Sequence, residues 1–105
     1  MLEKDIEKIF TAEIKRAGGK AYKFTSPGND GVPDRIAMLP GGQIVFVELK
    51  TDTGRLSKLQ ELQCKQITKL GQTVRVLHGL SEVRGFFLEF GLETAAYRLE
   101  RRLGR

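Results

Sequence analysis

The hydrophobic positions of this chain change spacing along its length, from helical intervals to short strand-like runs and back. Apolar residues three and four apart predict helices, and apolar runs bounded by glycine or proline predict strands. The predicted elements are a helix over residues 3–17, strands over 21–24, 34–39 and 44–49, a helix over 57–70, a strand over 73–77 and a helix over 81–90. This α-β-β-β-α-β-α order is typical of an α/β domain with a central mixed sheet flanked by helices.

The second and third strands form a predicted hairpin around Pro40-Gly41-Gly42, in which Leu39 pairs with Gln43. Both strands carry apolar residues on both faces, so we expect them in the middle of the sheet, covered on two sides. The helix that follows is long enough to connect two parallel strands. Its apolar side is formed by Leu59, Leu62, Ile67 and Leu70.

Residues 92–105 differ from the rest of the chain because they combine apolar residues at helical spacing with four arginines. This segment is either a basic amphipathic helix or a poorly ordered end. We therefore divide the chain into a domain over residues 1–91 and a basic C-terminal helix or tail over residues 92–105.

The charge and the single cysteine narrow the function. The chain has 105 residues, which suits one domain, and its net charge of +5 favours a polyanionic partner such as nucleic acid. One cysteine, Cys64, excludes a disulfide framework and a thiolate zinc site. No segment has the length and hydrophobicity of a membrane span, and the charged N-terminus lacks a signal peptide. We expect a cytoplasmic protein that does not contact a membrane.

Three charged residues converge in the predicted sheet. Glu48 and Lys50 project from the same face because side chains two apart on a strand point the same way. The hairpin register places Asp34 opposite Glu48, with the Cβ atoms about 5 Å apart. A slip of one residue would turn Asp34 to the other face. Two carboxylates and one ammonium therefore meet at one end of an otherwise apolar face.

This arrangement suits a metal centre. Two carboxylates so close repel each other, and one takes up a proton unless a cation intervenes. Mg²⁺ prefers oxygen ligands, so Asp34, Glu48 and the carbonyl of Leu49 are candidate ligands. Lys50 is placed to orient or help deprotonate an attacking water, or to stabilise charge on a phosphate. The competing interpretation is a plain Glu48–Lys50 salt bridge, which the nearby Asp34 disfavours.

The same residues resemble a known pattern. Pro33-Asp34, then thirteen residues, then Glu48-Leu49-Lys50 resembles the PD-(D/E)xK nuclease signature. A wider run is similar to the VRR-NUC family, the virus-type replication-repair nucleases, over about residues 3 to 90. The segments that carry this likeness are Lys23-Phe24-Thr25-Ser26-Pro27-Gly28, Gly31-Val32-Pro33-Asp34-Arg35, Phe46-Val47-Glu48-Leu49-Lys50, Gly54-Arg55-Leu56-Ser57 and Gln60.

The resemblance implies a restriction-endonuclease-like core and a Mg²⁺- or Mn²⁺-dependent DNA endonuclease. The family's smallest members are stand-alone, often phage-borne domains similar in fold to Holliday-junction resolvases, which implies a homodimer acting on branched or otherwise structured DNA. One acidic centre cuts one strand, so two symmetric strands call for two protomers. Two alternatives stay open: a structured-DNA-binding module that leaves cutting to a partner nuclease, and a structural subunit that assembles through its basic tail.

The resemblance also assigns roles to individual residues. Asp34 and Glu48 match the family's metal ligands, and Lys50 matches its catalytic lysine. Gln60 matches a glutamine of the family's site. Ser57 and Gln60 also form a predicted capping box at the start of a helix, and the two roles of Gln60 can coexist.

A glutamate on the first helix completes the acidic cluster in this family. Glu7 is favoured because it sits at the edge of the apolar stripe, where its side chain can reach a site beside the core. Glu3, one turn earlier, is nearly as suitable. Glu13 lies nearer the far end of the helix and is interpreted as a partner for a lysine or arginine.

Basic and small residues around these motifs are candidates for DNA contact, because phosphates attract lysine and arginine and glycine permits close approach of the backbone. Any single one of them is as readily a solvated surface charge. The predicted contacts are Lys23, Ser26, Arg35, Arg55 and Lys58.

Overall fold

Four helices and four strands make up the protein in the computed structural model, which describes residues 1–104. The helices are α1 (Glu3–Arg16), α2 (Lys58–Lys69), α3 (Gly79–Glu89) and α4 (Glu93–Arg102), and the strands are β1 (Lys20–Lys23), β2 (Arg35–Leu39), β3 (Gln43–Lys50) and β4 (Val74–His78). The α-β-β-β-α-β order is confirmed. None of these helices is long and apolar enough to cross a membrane.

The strands form one sheet in the order β1-β2-β3-β4. The first three pair antiparallel, and β4 joins β3 in parallel through the crossover helix α2, as the sequence predicts. Leu39 pairs with Gln43, which confirms the hairpin register. Extended by one residue beyond the pair of Arg35 and Val47, this register sets Asp34 opposite Glu48.

One face of the sheet, the core face, is covered by α1 and α3, and α4 packs against these two helices. Val45, Val47 and Leu49 point to this face from β3 and are fully buried. Phe10 of α1 stacks on Phe87 of α3, with ring centroids 5.9 Å apart. Because a buried aromatic ring removes about 150–250 Å² of surface from water, this layer contributes much of the hydrophobic stabilisation.

The opposite face, which we call the open face, is partly uncovered. Tyr22, Met38 and Ile44 point to it from β1, β2 and β3 and keep 46%, 44% and 49% of their surface exposed. The expectation that both central strands are covered on two sides is therefore wrong. The physical reason is that α2 lies near β4 and the end of β3, where Gln60 contacts Glu48, and leaves β1, β2 and the beginning of β3 bare on that side.

The apolar side of α2 also differs from the expectation. No residue of α2 is buried. Gln60 and Ile67 are half-buried and face the sheet, whereas Leu59, Leu62 and Leu70 lie about 60–160° around the helix from them. The leucine exposures are 52% for Leu59, 49% for Leu62 and 77% for Leu70.

The segment after Gly91 forms the helix α4, and of the two alternatives weighed for it the amphipathic helix is the one present. Ala95, Ala96 and Leu99 are buried in the same core as the other helices. Arg98 donates to both carboxylate oxygens of Glu13 on α1 at 2.6–3.1 Å. Glu13 is therefore an ion-pair partner, as predicted.

Candidate active site

Asp34 and Glu48 meet where β2 begins and β3 ends. Asp34 directly precedes β2, and its Oδ2 accepts a hydrogen bond from the backbone N–H of Leu49 at 2.9 Å. Pro33, immediately before it, is fully buried and has a fixed φ. Together they hold the Asp34 side chain across the strand pair, toward β3.

Glu48 is a fully buried carboxylate. It has 0% exposed surface, and its Oε1 has no hydrogen-bond partner among residues 1–104. Burial raises the pKa of Glu48 to about 8, and the charge of Asp34 adds to the rise while that of Lys50 opposes it. An acid in such a place is costly to ionise unless a cation compensates its charge.

Lys50 lies beside Glu48 on the same face of β3. Its Nζ is 3.8 Å from Oε2 of Glu48, and its side chain is only 13% exposed. The salt bridge weighed as a competing interpretation is thus present, although one ammonium cannot neutralise all the carboxylates nearby. Limited solvent access strengthens the field of this ammonium at the site.

Gln60 links the start of α2 to Glu48. Its Nε2 donates to Oε2 of Glu48 at 3.2 Å. Its Oε1 accepts from the backbone N–H of Ser57 at 2.8 Å, while its own backbone N–H donates to Oγ of Ser57 at 3.1 Å. The capping box and the contact with the site therefore coexist in one side chain.

The third carboxylate of the cluster comes from α1. Oxygen atoms of Glu3, Asp34 and Glu48 all lie within 4.8 Å of one another. The preference for Glu7 as the residue that closes the cluster is corrected to Glu3, its alternative one turn earlier. The reason is that a helical turn moves a residue about 5.4 Å along the axis, which takes Glu7 to a different partner.

That partner is Arg35. The Nε and Nη2 of Arg35 both contact Oε1 of Glu7, at 2.8 Å and 2.7 Å. Its Nη1 donates to the carbonyl of Ala21 at 3.3 Å. The two side chains are only 20% and 26% exposed. The guanidinium of Arg35, predicted as a contact for DNA phosphate, is therefore already bound to groups inside the protein.

The other predicted DNA contacts keep more of their surface free. Lys23, Arg55 and Lys58 are exposed and Ser26 is half-buried. The loop that carries Ser26 is held against the start of α2 by Gly31. Its φ of +89° suits glycine, and a Cβ there would lie 2.6 Å from the carbonyl carbon of Leu59.

The Arg35–Glu7 pair was missed in the sequence analysis, although a signal for it exists. Neighbouring residues on a strand point to opposite faces. If Asp34 points into the site, then Arg35 points toward the helices of the core face. A glutamate of α1 near that face is then a better candidate for an ion pair with Arg35 than for a metal ligand.

The chemistry of the cluster fits a hard divalent cation. Three carboxylates bring more negative charge than Lys50 can balance, and oxygen is the ligand that such cations prefer. Oε1 of Glu48, which is buried and has no hydrogen-bond partner among residues 1–104, fits the role of a ligand for such a cation. The single histidine, His78, lies 3.4 Å from Glu82 and does not belong to the cluster.

Comparisons with known proteins add to this picture. The chain is 44% identical over 75 residues to "Putative nuclease p44" of Acyrthosiphon pisum secondary endosymbiont phage 1, covering 71% of this chain and 81% of that protein. It is similar to a solved structure described as a VRR_NUC domain, with a TM-score of 0.75 and 27% identity, over 83% of this chain and 94% of that one. No protein-family model matches the chain.

Proposed function

The chain belongs to the VRR-NUC family of PD-(D/E)xK nucleases, and from this premise we propose that it is a Mg²⁺- or Mn²⁺-dependent DNA endonuclease. The observation that carries the proposal is the acidic cluster with a half-buried lysine beside it. Within 4.8 Å it gathers carboxylate oxygens from α1, from the start of β2 and from the end of β3. These are separate parts of the chain, and folding brings them together around one point.

The residues of the site have separate roles in the proposed phosphodiester hydrolysis. The candidate metal ligands are Glu3, Asp34, Glu48 and the carbonyl of Leu49. When bound, the cation supplies Lewis acidity toward a phosphate oxygen and lowers the pKa of a water. Lys50 stabilises the negative charge that develops on the phosphate. Gln60 holds Oε2 of Glu48, so Oε1 is the oxygen that would be available to a cation.

The proposed substrate is branched or otherwise structured DNA in the cytoplasm of a bacterial or phage-infected cell. The net charge of +5 supports a polyanionic substrate. Lys23, Ser26, Arg55 and Lys58 are the proposed phosphate contacts, which supply affinity without sequence preference.

A cleavage panel tests the function. Purified protein is incubated with Mg²⁺ or Mn²⁺ and with junction, flap, splayed and linear duplex DNA, and we expect metal-dependent cutting that is fastest on the branched substrates. Glu48→Gln should abolish it, and Lys50→Met should slow it by about 10²- to 10³-fold. Glu13→Gln is the matched control, because Glu13 is also a buried glutamate but lies at the other end of α1, paired with Arg98.

Two results would contradict parts of this proposal. Wild-type protein that binds junction DNA but cuts no substrate with either metal would leave the non-cleaving DNA-binding module as the function. Cutting of linear duplex as fast as junctions would remove the preference for branched DNA while keeping the nuclease.

We further propose that the protein acts as a homodimer through the open face. This face combines Tyr22, Met38 and Ile44 on the sheet with the leucines of α2, all about half-exposed or more. Together they offer several hundred Å² of apolar surface, on the order of what one partner contributes to a standard interface, about 800 Å². Few monomers leave so much apolar surface in one region.

A second copy of the chain suits this surface because the face is self-complementary. Cys64 and Thr68 of α2 line a groove with Val74 and Val76 of β4, so the leucine flank of the helix faces away from β4, toward the bare strands. A two-fold axis would then seat the leucine flank of each protomer on the bare sheet of the other. Glu48 lies on this same side, which would give two cutting sites related by one axis.

Sedimentation velocity at micromolar concentration tests the dimer. We expect a dimer for the wild type and monomers for Met38→Glu and Leu62→Glu. Leu88→Glu is the matched control, since Leu88 is 47% exposed on α3, away from the open face, and should leave the dimer intact. A monomeric wild type, or a dimer broken only by Leu88→Glu, contradicts this interface.

A further inference from the structure

Helix α1 is tied to the rest of the protein by two arginine–glutamate pairs. Near its start, Glu7 pairs with Arg35 of β2 at 2.7 Å, and near its end Glu13 pairs with Arg98 of α4 at 2.6 Å. We infer that the Arg35–Glu7 pair is a positioning pair that sets how far Glu3 stands from the other two carboxylates of the site. This inference rests on the proposed metal-dependent nuclease function.

The pair joins the immediate neighbours of two site residues. Arg35 follows Asp34 directly in the chain and points to the opposite face of the sheet. Glu7 lies four residues after Glu3, on the same side of α1 and one turn away. Helix and strand therefore approach each other at two adjacent points, the ion pair and the acidic cluster. Any slide or rotation of α1 that lengthens one contact also changes the other.

Glu3 needs such a support because it stands in the first turn of α1. The residue before it, Leu2, has no side-chain oxygen to cap the helix, and the bond from its N–H to Asp5 is exposed. Carboxylate oxygens of the cluster lie within 4.8 Å of one another, and any two of these groups that are charged repel. Ile6 is buried nearby and turns this side of α1 to the core, but hydrophobic contact is non-directional and restrains the exact position of the first turn less closely than a hydrogen bond does.

The Arg35–Glu7 contact is directional and can therefore hold the first turns of α1 in one position relative to the sheet. A guanidinium donates in a fixed planar arrangement, and charge-assisted bonds of this kind are short and geometrically specific. Here two of its nitrogens reach one oxygen of Glu7 while the third holds the carbonyl of Ala21 on β1. The arginine is thus itself bonded to the sheet. The position of Glu7, and with it that of the helix, is therefore set relative to the sheet.

The test is the affinity of DNA-free protein for Mn²⁺, measured by titration calorimetry, for Arg35→Met and Glu7→Gln. Loss of a partner that orients metal ligands costs about 10- to 100-fold in metal affinity, and we expect each variant to fall in this range. The double variant should lose no more than either single one, because the two residues act as a unit. Arg35→Lys should recover part of the affinity.

Arg98→Met and Glu13→Gln are the matched controls, because they break an ion pair of the same helix away from the cluster. They should lower the melting temperature as much as the Arg35 and Glu7 variants do while leaving Mn²⁺ affinity unchanged. Loss of Mn²⁺ affinity in all four variants would show a general effect of helix stability and would overturn the inference.

Cleavage kinetics separate the remaining roles. A positioning pair lowers kcat at saturating DNA and leaves KM for DNA unchanged in both variants. A raised KM and a weaker salt dependence in Arg35→Met alone would make Arg35 a phosphate contact, and lost Mn²⁺ affinity in Glu7→Gln alone would make Glu7 a ligand; either result overturns the inference. Mn²⁺ binding without DNA cleavage by the wild type would contradict the nuclease function and still allow the pair to be judged by affinity.

Discussion

The two faces of the sheet are formed by the same strands but have different roles. On the core face β3 presents Val45, Val47 and Leu49, all buried against helices. On the open face the same strand presents Ile44, which is half-exposed, and Glu48, which is buried and has one oxygen without a hydrogen-bond partner in the described part of the chain. Alternation along one strand thus separates a layer that stabilises the fold from a layer that carries the charged site.

This difference has a physical basis. A catalytic carboxylate needs a low-dielectric setting to tune its pKa and access for substrate, and a closed hydrophobic core allows only the first. The end of the open face satisfies both, because α2 covers Glu48 through Gln60 while the rest of the face stays accessible. The core face carries none of the charged residues of the cluster, so its side chains can be packed for stability alone.

The largest expected effect is a difference in stability between substitutions on the core face and on the open face. Phe87→Ala on the core face should lower the free energy of unfolding by about 3–5 kcal/mol, because it leaves a cavity beside the rings of Phe10 and Phe86. Tyr22→Ala on the open face should cost less than about 1 kcal/mol. Urea denaturation at one fixed protein concentration measures both. Similar losses for the two variants would contradict the division between the faces.

The next effect concerns activity. Lys50→Met should slow DNA cleavage by about 10²- to 10³-fold, because the charge beside the phosphate is lost. Its free energy of unfolding should change little. Lys20→Met is the control: Lys20 is exposed at the start of β1, over the ring of Tyr22, and its loss should leave the rate intact. An active Lys50→Met protein would remove the lysine from the mechanism.

A pH dependence of stability follows from the buried Glu48. In metal-free protein its pKa is raised to about 8 from the ordinary 4.5, so between these values the folded chain keeps a proton that the unfolded chain has lost. The free energy of unfolding should therefore fall as pH rises through this window, by at most about 1.4 kcal/mol per pH unit, and level off outside it.

Denaturation in the presence of a chelator across this window measures the slope. Glu48→Gln should remove this contribution, since an amide does not titrate, whereas Glu13→Gln should retain it. An equal slope in Glu48→Gln and wild type would show that Glu48 is ionised in the folded protein without metal.

The smallest expected effect tests the helix of the open face. Ser57→Ala removes the oxygen that caps α2 and should lower the free energy of unfolding by about 1 kcal/mol. Cleavage should be nearly unchanged, because Gln60 keeps its contacts with Glu48 and with the backbone of residue 57. Thr68→Ala, at an exposed position of the same helix, is the control for stability.

Local patterns in the sequence were sufficient for the order of elements and for half of the site. The hairpin register needed only a three-residue turn and strand alternation, and it correctly set Asp34 opposite Glu48 on the side of Lys50. These residues lie in the hairpin and its immediate flanks, so short-range geometry determines their relation. The cap formed by Ser57 and Gln60 is local for the same reason.

Tertiary structure decided what depends on the docking of separate elements. Whether Glu3 or Glu7 enters the cluster depends on how far α1 slides along the sheet, and helical periodicity is the same for both positions. The leucines of α2 have a helical pattern whichever way the helix turns, and only its contacts leave them exposed. Sequence periodicity determines which residues share one face of a helix or strand. What that face packs against is determined by contacts with elements that are distant in the chain.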